Sequence, residues 1–118
     1  MKPKSAPPVI DIHLHVAARD RQGCRVADAM LLSPAFAYML AANRVPPSAL
    51  RRDFDGTIRK SVVGALNGAE SVGKGVVLAL DPIFAHDGEP QWEASGMVVS
   101  NDYVMELARG NRKVLFGA

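Results

Sequence analysis

Asp11-Ile12-His13-Leu14-His15 is the stretch of this 118-residue chain whose residue types and spacing best suit chemistry. The three polar residues alternate with apolar ones inside an otherwise apolar run, Val9 to Val16. On a β-strand, residues two apart share a face, so Asp11, His13 and His15 are expected on one side. Two neutral imidazoles converging from one face are ligands for a divalent cation, zinc foremost, at about 2.0–2.1 Å. The carboxylate of Asp11 could then orient one ring through its second nitrogen. The plainer alternative is a polar, wet face on an edge strand. A pair of histidines at strand spacing among apolar neighbours argues against it, so His13 and His15 are the predicted metal ligands.

A catalytic zinc site usually takes three protein ligands and an open position for water. The further donors on offer are Asp81, His86, Asp87 and Glu89. Asp81 follows a second apolar run and is placed on the same side of the sheet as the histidine pair, although Asp81-Pro82 reads more readily as turn chemistry. His86 reads more readily as a solvated loop residue than as a ligand. Cys24 has no evident base beside it and is expected to be an ordinary thiol. Trp92 either lines a pocket or packs its loop. Arg51-Arg52 and Arg59-Lys60 are expected as solvated charges at helix ends. Gly73-Lys74-Gly75 has the wrong spacing for a phosphate-binding loop.

The elements that must position these groups follow from periodicity. Val9 to His15 is a predicted strand. Ser33 and Pro34 mark a helix start that Pro46-Pro47 stops. Asp55 to Val72 is the best helix: Ile58, Val62, Ala65, Leu66, Ala69 and Val72 recur at three- or four-residue spacing, with Asp53 or Asp55 as cap and Gly73 as terminator. Val76 to Leu80 is a continuous apolar run, expected as a strand buried on both faces. Asn101 is expected to cap a helix from Asp102 to Arg109, and Val114 to Ala118 reads as a final strand. This order is α/β, a parallel βαβαβ arrangement with right-handed crossovers. The strand-to-helix segments, 16–54 and 81–100, are long, whereas the helix-to-strand turns are short. In parallel folds the long ones lie at the carboxyl ends of the strands, where ligands bind.

Composition narrows the classes. The chain is 48% hydrophobic, enough for a core, and its charge is 14 basic minus 12 acidic, or +2. That balance does not point to nucleic acid or a membrane surface as partner. One cysteine excludes a disulfide framework and a four-cysteine zinc site. No apolar run approaches the roughly 20 residues of a membrane span, and the basic, proline-rich start is not a signal peptide. A cytoplasmic protein is expected, with a flexible segment at 1–8 and one domain at 9–118.

VIDIHLH, Val9 to His15, resembles the first strand of the amidohydrolase superfamily, whose members carry a His-x-His pair there. VVLALDP, Val76 to Pro82, and SNDYVMELARGNRKVLFGA, Ser100 to Ala118, resemble more specifically the amidohydrolase-related branch that includes aminocarboxymuconate-semialdehyde decarboxylase-like enzymes. The resemblance covers most of the chain. It implies a TIM (β/α)8 barrel with a divalent metal, often zinc, at the strand ends. It implies hydrolysis of C–N, C–O or C–C bonds, or non-oxidative decarboxylation, of a small-molecule substrate. Only His13 and His15 carry over, as metal ligands. The family's later histidines and catalytic aspartate belong to strands beyond the first three of eight. Such a barrel needs roughly 250 residues, so the chain is expected to be an N-terminal portion that is inactive alone, with unpaired strand edges that favour self-association. Two other readings stand beside this one. PHP-type phosphoesterases and TatD-type nucleases also begin with Asp-x-His-x-His, but continue differently from Val16-Ala17-Ala18-Arg19. A small non-catalytic α/β binding module would make the two histidines incidental.

Overall fold

A computed structural model describes residues 8–118, so the predicted N-terminal segment lies outside the described residues except for Pro8. Three strands, β1 (Val9–His15), β3 (Val72–Leu78) and β5 (Val114–Gly117), form a parallel sheet in the order β1-β3-β5. Between β1 and β3 come β2 (Arg25–Val26) and the helices α1 (Asp28–Leu31), α2 (Pro34–Ala42), α3 (Pro47–Arg52) and α4 (Phe54–Gly68). Between β3 and β5 come β4 (Met97–Val98) and α5 (Asn101–Gly110). The expected α/β alternation with parallel strands is what the chain adopts.

The helix starts obey side-chain capping, which satisfies N–H groups that the helix itself leaves unpaired. Ser33 Oγ accepts from Phe36 N at 3.2 Å, with Pro34 next in line. Asp53 Oδ1 accepts from Gly56 N at 3.0 Å at the head of α4. The cap of α5 is Ser100 rather than Asn101: Ser100 Oγ takes Tyr103 N at 3.3 Å, which draws Asn101 into the first turn. α2 ends at Ala42, with Arg44 in the left-handed region at φ 55°, before the prolines that were expected to stop it; Pro46-Pro47 instead begins α3.

The boundary between α4 and β3 differs most from expectation. The helix ends at Gly68, Ala69 to Ser71 turn the chain, and Val72 already belongs to the strand. Gly73 and Gly75 lie inside β3 rather than in a turn. Packing supplies the reason for Gly75. A Cβ there would stand 2.5 Å from Leu14 Cδ1 and 2.9 Å from Leu66 Cδ2. Its absence lets α4 sit close on the sheet. Lys113, just before β5, fastens the same C-terminal end of that helix by donating to the carbonyls of Leu66 and Ala69 at 3.1 and 3.0 Å. A cation there also suits the negative end of the helix dipole.

Helices cover one face of the sheet. Val77 and Val114 on that face are buried with Leu66 of α4 and Tyr103, Val104 and Leu107 of α5. Burying each such aliphatic side chain is worth about 1.5–3 kcal/mol. Val76 and Leu78 point the other way and are only half-buried, so the run Val76 to Leu80 is not covered on both faces. Among the described residues β1 and β5 each pair with one neighbour only. Val9, Ile10, Ile12, Leu115 and Phe116 are exposed on these edge strands.

The Gly75 contact yields a stability test. Gly75→Ala should cost about 1–3 kcal/mol through overpacking. Gly68→Ala, whose Cβ would meet nothing within 4 Å, should be neutral or stabilising by up to about 1 kcal/mol. Urea unfolding of the two variants distinguishes the positions, and equal effects would refute the close-approach account.

Candidate metal pair and the loops around it

His13 and His15 lie at the carboxyl end of β1. Their Nε2 atoms are 2.9 Å apart and their rings meet edge to face with centroids 4.7 Å apart. Both side chains are exposed, on the face of the sheet that the helices leave open. Across this gap one ring nitrogen donates to the other. The same separation lets both lie about 2.0–2.1 Å from one ion with an angle of about 90° between them. A tetrahedral ion needs slightly more, about 3.3 Å, which two exposed rings reach by small rotations. As two borderline nitrogen donors the pair fits zinc or a similar divalent ion.

Asp11 does not share their face. Along β1 the pairing runs Asp11 opposite Gly75, Leu14 opposite Val77 and His15 opposite Leu78. Three steps on β1 thus match two on β3, a bulge that resets the alternation. By this register Asp11 falls with Leu14 on the side facing α4; both border an apolar cavity of about 440 Å³ between β1, α2 and α4, whose lining His15 also reaches from the strand end. Its Oδ1 accepts the backbone N–H of His13 at 3.0 Å. The carboxylate thereby pins the strand just before the first histidine. Strict alternation, the basis for expecting all three on one face, fails at this bulge.

The other candidate donors are not brought to the pair, and among the described residues no third His, Cys, Asp or Glu joins it to make a metal-sized cluster. Asp81 is exposed just after Leu80, which bridges to Val99. His86, Asp87 and Glu89 occupy a tight turn closed by Ala85 N to Glu89 O and Gly88 N to Ala85 O, with Gly88 at φ +88°. Asp87 Oδ1 accepts from Glu89 N, so that carboxylate serves the turn. Cys24 Sγ accepts from Ser100 N at 3.4 Å and packs against the core, a structural thiol. Trp92 is exposed on its loop.

The two long strand-to-helix segments hold each other. Arg25-Val26 pairs antiparallel with Met97-Val98, and Leu80 with Val99. Buried Ser95 donates to Gln91 O at 2.7 Å and accepts from Ile83 N at 2.9 Å, which closes the second loop on itself. Asp55 accepts from the backbone N–H groups of Arg19 and Asp20 at 2.6 and 3.1 Å, tying the first loop to α4. Arg21 forms a two-bonded pair with Glu106 at 2.8 and 2.9 Å and lies over the ring of Tyr103. Asp55 and Arg21 gave little signal in the sequence, because their partners are 35 to 85 residues away.

Burial, reinforced by the Asp55 carboxylate, raises the Tyr103 hydroxyl above its ordinary value, while Arg59 and Arg21 pull it down. The folded protein therefore holds this proton more tightly than the unfolded chain. The stability so gained is fully present below about pH 10, the unfolded value, and is lost as pH rises through the folded one. Urea unfolding of parent and Tyr103→Phe between about pH 8 and 11 should show the parent losing stability more steeply with pH. Parallel curves would contradict the assignment.

No helix among the described residues is long and apolar enough to cross a membrane. No family model matches the chain, and neither a curated protein nor a solved structure matches it.

Proposed function

We propose that this chain carries the metal-binding first strand of an amidohydrolase-type enzyme, a divalent-metal-dependent hydrolase or carboxy-lyase acting on a small molecule. The observation that carries the reading is the approach of His13 Nε2 to His15 Nε2, 2.9 Å, at the carboxyl end of a parallel strand. Zinc is the favoured ion, since its common ligands include neutral imidazole. A bound divalent ion would supply Lewis acidity and a water acidic enough to deprotonate near neutral pH. His13 and His15 would hold it at the strand end. Asp11, on the opposite side of the bulge, would keep the His13 backbone in register rather than touch the ion. The segments 16–27 and 79–100, fastened to each other through Arg25-Val26 and Met97-Val98, would form part of the wall around the substrate.

On this reading β1, β3 and β5 are the first three strands of a (β/α)8 barrel, and the uncovered face bearing Val76, Leu78 and the histidines is its interior. The consecutive strand order supports it. So do the exposed apolar residues of the two edge strands, which further strands would cover. Completing the ligand set also requires such strands, so the residues present hold half a site and weak affinity is expected.

Zinc uptake tests the proposal directly. Competition with a metal-sensitive dye should give one weak site in the parent chain. His13→Ala and His15→Ala should each weaken it by at least about tenfold, whereas His86→Ala should not. Equal uptake by the parent and both strand variants would rule the pair out.

A further inference from the structure

We propose that the cavity between the starts of α4 and α5 binds a small zwitterion, an ammonium carboxylate of the amino-acid type. The cavity holds about 260 Å³ and is bordered by Asp20, Arg21, Asp53, Asp55, Arg59 and Tyr103. It shares no residue with the histidine pair and stands independently of any metal there.

Tyr103 points to a ligand. Its side chain belongs to a residue only 4% exposed, yet its hydroxyl has no hydrogen-bond partner among the described residues. No side-chain polar atom among the described residues is both sealed in and unpaired, so this hydroxyl opens on the cavity. Arg59 is the second free group. It borders the same space and makes neither an ion pair nor a hydrogen bond among the described residues. A phenol donor and an uncommitted guanidinium together suit a carboxylate. The first turn of the 15-residue α4 adds the positive end of its dipole on the same side.

The remaining charges decide between anion and zwitterion. Arg21 is committed to Glu106, and both oxygens of Asp55 are taken by backbone N–H groups. Asp53 uses one oxygen on Gly56 N, which leaves the other free, and Asp20 has no side-chain partner. Around the space stand Arg21 and Arg59 against Asp20, Asp53 and Asp55, that is 2 − 3 = −1. A dianion such as phosphate meets net repulsion there. A carboxylate on Arg59 and Tyr103, with an ammonium group toward Asp20 and Asp53, matches both signs. The position also agrees with fold logic, because the loop after β1 and the starts of both helices lie at the carboxyl ends of the strands, where parallel α/β proteins bind ligands.

Titration of the full chain with glycine and with L-serine, followed by amide chemical shifts, should give saturable binding centred on residues 20, 56, 59 and 103. Acetate, methylamine and inorganic phosphate should each bind at least about tenfold more weakly. Arg59→Gln and Tyr103→Phe should each lower serine affinity about tenfold, and His13→Ala should leave it unchanged. Arg59 is exposed and Tyr103→Phe keeps the ring, so both variants should fold, which the same spectra verify. Phosphate binding tighter than serine, no saturation by either amino acid, or equal affinity in the parent and both variants would overturn the proposal.

Discussion

Leu14 of β1 and Leu66 of α4 meet over Gly75, the position in β3 where a single added carbon would stand 2.5 Å from one and 2.9 Å from the other. That contact sets how deeply the main helix sits on the sheet, and much else depends on it. With α4 seated there, Val77, Val114 and the buried side of α5 close into one core on the same face. Lys113 then bonds the last carbonyls of α4, so the third strand and the first long helix support one another. The cost is one-sidedness. Everything that packs does so on the helix face, and the opposite face retains half-buried Val76 and Leu78 beside two exposed histidines.

The bulge in β1 sorts its polar residues between these two faces. Asp11 stays with Leu14 on the helix side, still exposed, where its carboxylate holds the backbone of the next polar residue. His13 and His15 remain together on the open side, close enough to share one ion. A bulge next to a candidate site is a common way to re-aim side chains, and here it separates a structural carboxylate from a candidate ligand pair.

The carboxyl-end loops show how completely most polar groups are used for structure. Asp53 caps a helix, Asp55 holds two loop amides, Ser95 closes a loop, Ser100 caps α5 and receives Cys24 as a neighbour. Arg21 is locked to Glu106. Against that background the two imidazoles partner only each other, and the Tyr103 hydroxyl and Arg59 guanidinium border the second cavity without an internal partner among the described residues. Groups so placed are open to a ligand.

Local patterns in the chain were enough to indicate the strand with its two histidines, the cap Ser33, the alternation of strands and helices, and the parallel sheet; for α4 they offered Asp53 or Asp55, and folding gives the cap to Asp53. The strand, the caps and the alternation depend on residues a few positions apart, which a one-dimensional pattern records; the sheet pairs Val9 with Val72 and follows from the pattern only through the rule that alternating strands and helices give parallel neighbours. Val72, Gly73 and Gly75 read as helix end and turn, because nothing nearby reveals that Leu14 and Leu66 need the space above Gly75. Asp11 read as a neighbour of the histidines, because a bulge arises from pairing with another strand and leaves no mark in alternation. The cavity under Tyr103 joins residues from the first loop, α4 and α5. Which polar groups are consumed and which stay free depends on partners brought together only by folding, and that was decided by the tertiary structure alone.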